Sequence, residues 1–569
     1  MSLLLTKPEE TVAEEPAPRR RGWLSPVLGV LAVVLYVLFL APVDPGKLGS
    51  LGLIAAVHPA VLVAFVVLAT AFVLEVRAPQ RRAWLLTLLT VLALVGMYGL
   101  PSITEPVARL PVAWLHAGWA DYIGAHGEVL HGFDARFSWP AFFAATAWLS
   151  DLAGIGNPEA LLAWAPPVLT GLAAIGVHAV ATAVLGRGRV PWLAAWVFLC
   201  VNWVEQDYFS PQGLVFLLYL GALAVVFRWL CGDVAPRRRI VASFGLVLLL
   251  VALAPTHQVT PFAFAAILFV LTVTRKMRVP WLLAVAILTP LTWLVLGASD
   301  YWVGHLHVLT GGIGDLSGAV QENVQARVSG DPGRFTVLGF RFGLVGLLGV
   351  LALAGWWGLR TPRGRPIVLG VAAIVPAGLV ALQSYGGEML LRSYLYSLPL
   401  LCTLAGAGLD RWLRTARARK LGTAAVIVVL GASSVVLVGA RGGNDSYVAF
   451  RASDREVVAE AYRLARPGQR IAALTAYAPL DWARVGEVKQ GSLERTCPPA
   501  PDVGSCVRRV GPDFVVLDQA QDNYGVTLLG LPAGWTRRVD TELVSSGAYR
   551  EQLRIGDSVL LVHQSGGTR

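Results

Sequence analysis

Long apolar runs, broken at short intervals by polar segments, set the plan of the first 440 residues. A hydrocarbon core takes about 20 apolar residues of helix to cross. Runs of that kind predict thirteen spans, at about 23–42, 51–76, 83–100, 159–185, 190–204, 213–230, 240–256, 260–274, 280–298, 342–359, 366–383, 393–409 and 421–440. A further partial helix is expected over 139–155, and no internal repeat is visible. The polar breaks alternate between two chemistries. One set is basic: Arg19-Arg20-Arg21, Arg77/Arg81/Arg82, Arg187/Arg189, Arg237-Arg238-Arg239, Arg275/Lys276/Arg278, Arg360/Arg363/Arg365 and Arg411 to Lys420. The other set carries Asp, His, Gln, Tyr and Trp: Pro101 to Pro140, Glu205 to Gln212, Thr256-His257-Gln258, Asp300 to Arg341 and Gly386-Gly387-Glu388. Short basic loops stay in the cytoplasm. The N-terminus is therefore expected inside, and an odd number of spans places residues after 441 outside. Of the 31 Lys and Arg up to Ala440, 24 fall on the inner side and 7 on the outer.

Residues 441–569 change character, with basic and acidic residues mixed. Ser453-Asp-Arg-Glu456 reads as a capping box opening a helix, and Pro467-Gly468 ends it. Residues 470–475, 513–518 and 558–564 read as strands. The expectation is a polytopic α-helical membrane domain over 23–440, followed by a small extracytoplasmic α/β domain over 441–569. Residues 1–22, rich in Pro and Glu, are expected to be a disordered cytoplasmic tail.

Composition agrees with this plan. A mean hydropathy of +0.61 and 55% hydrophobic residues over 569 positions exclude an ordinary soluble protein. The net charge of +11 follows from the inner loops and does not indicate a nucleic-acid partner. Cys200, Cys231 and Cys402 lie in or beside spans and read as apolar fillers. Cys497 and Cys506 sit in the tail, where an outer compartment permits a disulfide.

The outer segments hold the residues that could carry chemistry. Val112, Leu115, Trp119, Tyr122 and Ile123 recur at helical spacing, and Asp121 falls opposite that stripe with Trp114. This predicts a helix lying on the outer membrane face, with Asp121 turned away from lipid. His116, His126, Glu128, His131 and Asp134 crowd nearby, and Trp139-Pro140 returns the chain to the membrane. Their spacing fits no tight metal-ligand motif, so no cofactor is expected and a divalent metal is unsupported. Asp207 sits between two spans at membrane depth, where a charge is costly. His257 stands between Pro255 and Pro261. Glu388 and Arg392 are spaced to pair at i,i+4, and an arginine there also suits a phosphate.

The segments Trp114-Leu-His116-Ala-Gly118-Trp-Ala-Asp121-Tyr-Ile, Asp134 with Trp139-Pro140-Ala-Phe142-Phe143, Asp207-Tyr-Phe-Ser-Pro-Gln212, Thr256-His257-Gln258 and Glu388-Met-Leu-Leu-Arg392 give the chain its likeness. It resembles the GT-C superfamily of integral-membrane glycosyltransferases, and looks like an actinobacterial branch. The resemblance implies a polyprenyl-phosphate-linked sugar as donor, an envelope glycan, glycolipid or protein as acceptor, and one acidic residue as general base. Asp121 is the expected base, with Asp134 or Asp207 as substitutes. His116, Trp114, Trp139, Tyr208, Gln212, His257, Gln258, Glu388, Arg392 and Arg341 are the expected donor- and substrate-binding residues. Two departures stand out. The large loop follows the third span, not the first, and it contains no adjacent acidic pair. An O-antigen-ligase or polymerase-like transferase would instead lean on an Arg/His pair such as His305, His307, Arg327 and Arg334 supply. A transporter or flippase would want charges at span centres, where almost none occur.

Overall fold

The computed structural model describes residues 22–155, 159–303, 332–359, 366–381, 388–414, 419–480, 482–500 and 502–564. Each expected span coincides with a helix: Leu24–Phe39, Pro59–Arg77, Ala83–Tyr98, Glu159–Leu185, Val190–Val201, Pro211–Val225, Pro236–Leu253, Thr260–Val273, Leu282–Leu296, Pro332–Gly358, Ile367–Ile374, Met389–Arg414 and Arg419–Arg441. The partial helix is Ala141–Ala153. Five helices among the described residues are long and apolar enough to cross a bilayer, and seven shorter apolar helices accompany them. The protein is a multi-pass membrane protein.

With lipid outside, burial of apolar surface gives helices little reason to associate, and close backbone approach matters more. Helix Met389–Arg414 shows this. A Cβ on Gly406 would stand 2.9 Å from backbone atoms of Val190 and Ala194, and one on Gly408 would stand 2.6 Å from the Leu351 carbonyl oxygen. Both positions must be glycine for the three helices to touch. The arginine-rich end carries its own ion pairs. Glu75 is buried against Arg82, and Asp410 is buried against Arg414 at 2.6 Å and Arg189 at 3.6 Å.

The opposite end is covered by two packed layers. The first is residues 101–155. The second is an α/β domain whose five strands are β1 (Arg470–Ala473), β2 (Lys489–Ser492), β3 (Phe514–Leu517), β4 (Tyr549–Ile555) and β5 (Ser558–His563), in sheet order β2-β1-β3-β5-β4. β1 runs parallel to β2 and β3, while β5 runs antiparallel to β3 and β4. Side chains alternate across the sheet as the pleat requires. Ile471, Ala473, Phe514, Val516 and Leu560 pack on helix Ala452–Leu464. Ala472, Val515, Leu517, Val559 and Leu561 pack under Trp535, Val539 and Leu543. Cys497 and Cys506 form the expected disulfide.

Three local expectations are corrected. The helix expected to open at a Ser453–Glu456 box begins at Ala452, and the Asp454 carboxylate accepts the Arg451 N–H at 2.7 Å. β2, with the sequence Lys-Gln-Gly-Ser, and β4 lack the apolar alternation that marks a strand. Helix Pro111–His126 does not lie on the membrane face, because Ala113, Trp114, His116, Ala117, Gly118, Trp119 and Ala120 are all buried. The α/β domain covers it: Arg455 stacks over Trp482 at 3.7 Å and Trp114 at 5.1 Å.

Covalent continuity alone would let the two layers part. They are tied by Leu110 N–H donating to the Val448 carbonyl at 2.8 Å. A buried triad adds to this. Asp445 accepts Arg109 at 2.6 Å and the Leu53 N–H at 2.9 Å, while Arg109 also holds Glu105. Removing one partner of a buried pair typically costs about 3–5 kcal/mol. Asp445→Asn is therefore expected to lower the melting temperature in detergent and to expose the α/β domain to protease. Glu460→Gln, in a surface pair with Arg463, should leave both unchanged.

Candidate functional site

Charged groups collect where helix ends meet beneath the outer layers. Helices Ala83–Tyr98, Val190–Val201 and Arg419–Arg441 finish there, and Pro211–Val225, Thr260–Val273 and Met389–Arg414 start there. The segment between Val190–Val201 and Pro211–Val225 is the hub, because helix ends leave backbone groups that need partners. Tyr98 Oη donates to the carbonyls of Leu199 at 2.9 Å and Asn202 at 3.1 Å. Ser210 caps the helix that follows by accepting the Gly213 N–H.

Asp207 lies buried in this segment with both oxygens engaged. Arg441 grips it at 3.0 and 3.1 Å, and Thr170 Oγ1 donates at 2.6 Å. The Arg441 guanidinium also lies 4.6 Å over the Tyr98 ring. Asp207 is thus the fixed end of a buried ion pair.

Glu205, two residues earlier, is its opposite. Its backbone φ is +56°, a conformation that costs a non-glycine residue about 1–3 kcal/mol. Its carboxyl is partly buried and accepts no hydrogen bond among the described residues. Burial pushes its pKa up to about 7, against the pull of Arg441, Arg341 and Arg109 and with the push of Asp445. A carboxyl poised near neutrality suits proton transfer, since a base works best with its pKa near the working pH. Arg341 donates through Nε to the Ala440 carbonyl at 2.8 Å and lies 5.3 Å over the Trp203 ring.

At the other end of the same segment, Gln212 opens a second cluster. Its Oε1 accepts Arg392 Nη1 at 3.0 Å and Tyr396 Oη at 3.3 Å, while its buried Nε2 has no partner among the described residues. Arg392 also meets His257 Nε2 at 2.6 Å and Glu388 at 2.8 Å. His257 Nδ1 faces the Val259 N–H at 3.1 Å. Both ring nitrogens therefore face donors. Burial and then the arginine hold the His257 pKa well below its ordinary range, so Arg392 is the cation of the pair. Tyr208 lies between the clusters, stacked on His116 with the rings 5.9 Å apart, and feels Glu388, Arg392 and Arg136.

The structure thus brings Tyr208, Gln212, His257, Glu388 and Arg392 together, and it places Asp207 and Arg341 in the neighbouring cluster. It leaves others outside. Asp121 is exposed on helix Pro111–His126, with no hydrogen-bond or ion-pair partner among the described residues. Asp134 caps the turn Ala135–Ser138 and pairs with Arg136 at 2.9 Å. Trp114 is buried beneath Trp482 and donates to the Ala108 carbonyl at 2.9 Å. His116 Nδ1–H donates to the Phe209 carbonyl at 2.9 Å, and burial lowers its pKa to about 4. Trp139 is buried edge-on to Tyr301. Gln258 adjoins His257 in the turn. His305, His307 and Arg327 lie outside the described residues. Sequence reasoning missed Glu205, Arg441 and Tyr396. For Glu205 the available signal was an acidic residue opening a polar break between two spans.

No protein-family model matches the chain, and no curated protein matches it. Solved structures match its fold, among them two of one protein. ArnT from Cupriavidus metallidurans bound to undecaprenyl phosphate is 13% identical, with a TM-score of 0.52 over 85% of this chain and 99% of that one. The same protein in the apo state is 14% identical, with a TM-score of 0.50 over 84% and 97%. At such identities the likeness is one of fold. That fold, a polytopic helical membrane domain with a small C-terminal sheet, is the class expected from the sequence.

The shift at Glu205 has a signed consequence for stability. The folded chain binds this proton more tightly than the unfolded chain, so stability is present below the unfolded pKa of 4.5 and declines as pH rises toward about 7. At about 1.4 kcal/mol per pKa unit, the decline is at most about 3 kcal/mol. Glu205→Gln should remove that part of the pH dependence and be at least as stable as the parent at pH 8, read by thermal melts at pH 5 to 8.

Proposed function

We propose that the chain is a membrane glycosyltransferase that moves a sugar from a polyprenyl-phosphate donor to an acceptor hydroxyl of the cell envelope, with Glu205 as general base. The observation that carries this reading is the near-neutral carboxyl of Glu205 among Arg109, Arg341 and Arg441. The fold adds support, since one matching structure is of ArnT bound to undecaprenyl phosphate.

In this reading the acceptor O–H gives its proton to Glu205 as its oxygen attacks the anomeric carbon. The bond from that carbon to the phosphate oxygen breaks with its electron pair, and polyprenyl phosphate leaves. Arg392 and Arg341 offset the charge that develops on the phosphate, in a place where water is scarce and such pairing is strong. Tyr208 and Trp203 supply aromatic surface for a sugar face. Asp207 positions Arg441, and Arg441 in turn orients the segment that bears Glu205. Activated sugar nucleotides are confined to the cytoplasm, so a lipid-linked donor suits a site on the outer side.

A second reading has one observation in its favour: the Arg392–His257 contact is the kind of pair a ligase-like transferase would use. Transfer assays with a polyprenyl-phosphate sugar separate the two. Glu205→Gln is expected to lower the rate about 10²–10⁴-fold, while its melting temperature is kept. His257→Gln, which retains a hydrogen-bonding side chain, should cost less than Glu205→Gln. Transfer at full rate by Glu205→Gln, with a dead Asp121→Asn, Asp134→Asn or Asp207→Asn, would move the role to that residue. Loss at His257 alone would favour the ligase-like mechanism. Reporter fusions test the sidedness: one near residue 235 should read cytoplasmic, and one after 441 external.

A further inference from the structure

The end of the bundle remote from Glu205 carries a second built feature. Helix Pro236–Leu253 and the residues leading into helix Leu282–Leu296 bound a groove of about 490 Å³, lined by Pro236, Arg239, Ile240, Phe244, Val247 and Trp281 among others. Ile240 and Phe244 are 70% and 65% exposed, which in a spanning helix means exposed to lipid. Arg239 stands at the mouth. Its Nη2 donates to the Val234 carbonyl at 3.2 Å, but its Nε is buried and has no partner among the described residues. Arg237 and Arg238 beside it are exposed. Arg278 and Arg239 both act on Asp233, an exposed carboxylate beside them.

An orphaned guanidinium N–H at the head of an apolar groove asks for an acceptor that carries a tail. A buried donor left unpaired costs about 1–3 kcal/mol, and a phosphate answers a guanidinium better than water does. Trp281, 54% exposed, supplies the amphipathic ring that settles at a headgroup level. The helix between this groove and Thr256-His257 has 18 residues, about 27 Å at 1.5 Å per residue. The groove therefore faces the leaflet opposite Glu205 and is separate from the donor site.

We propose that this groove is a binding site for an anionic glycerophospholipid, with the phosphate on Arg239 and Arg238 and one acyl chain along Phe244 and Val247. A zwitterionic lipid offers the same tail but sets its own cation against the arginines. The basic cluster is thus a selectivity element as well as a topology signal.

The test uses the full chain in nanodiscs of equimolar phosphatidylglycerol and phosphatidylcholine, released gently into a native mass spectrometer. The parent is expected to retain phosphatidylglycerol in clear preference. Arg239→Gln with Arg238→Gln should reduce that retention about fivefold for each arginine removed. Val247→Trp fills the groove with all charges intact, and it should reduce retention of both lipids. Equal retention of the two lipids by the parent would overturn the proposal, as would unchanged phosphatidylglycerol retention in both variants. Displacement of the bound lipid by polyprenyl phosphate at equal concentration would also overturn it, by making the groove a second donor site.

Discussion

The ion pair between Asp207 and Arg441 is the constraint on which the outer half of the molecule depends. It joins the irregular segment after the helix Val190–Val201 to the last residue of the final membrane helix. Two charges withdrawn from water tolerate each other only when geometry and extra hydrogen bonds compensate their desolvation. Thr170 completes the shell of the carboxylate, and the Tyr98 ring lies against the cation. With both partners spoken for, the segment has one preferred path. That path holds Glu205 in a backbone conformation it would not choose alone.

The same segment explains why two charge clusters sit side by side without merging. Glu205 and Asp207 face the arginines delivered by residues 109, 341 and 441. Gln212, a few residues later and now helical, faces Arg392 and Tyr396. Tyr208 stands between them. One zone holds the near-neutral carboxyl of Glu205 and the other holds Arg392 with His257 and Gln212. A single pooled cluster would neutralise itself.

The spans were legible because a hydrocarbon environment leaves little freedom: about 20 apolar residues must recur, and helix is the only way one chain segment can satisfy its own backbone there. The disulfide was legible from compartment and spacing. The candidate site was legible in part, because Gln212, His257, Glu388 and Arg392 all lie in or beside polar breaks on one side. Asp121 drew attention through helical periodicity, which reports the face a helix turns away from apolar partners and nothing about who covers that face. The covering domain lies more than 300 residues later in the chain. Glu205 escaped for a related reason: its raised pKa comes from burial that only the assembled fold produces, against the pull of arginines remote in sequence. β2 and β4 were hidden because an edge strand such as Lys489–Ser492 has few apolar neighbours to display.

Order of synthesis gives the outer ties a further meaning. Arg109 and Leu110 emerge early, whereas Asp445 and Val448, which hold them, follow the last membrane helix. Until that helix is in place, Arg441 has not arrived to orient Asp207, and Glu205 has no framework. The two charge-bearing ties are therefore completed only once residues 441–448 have been made, and a product stalled before them carries the earlier membrane helices without those ties.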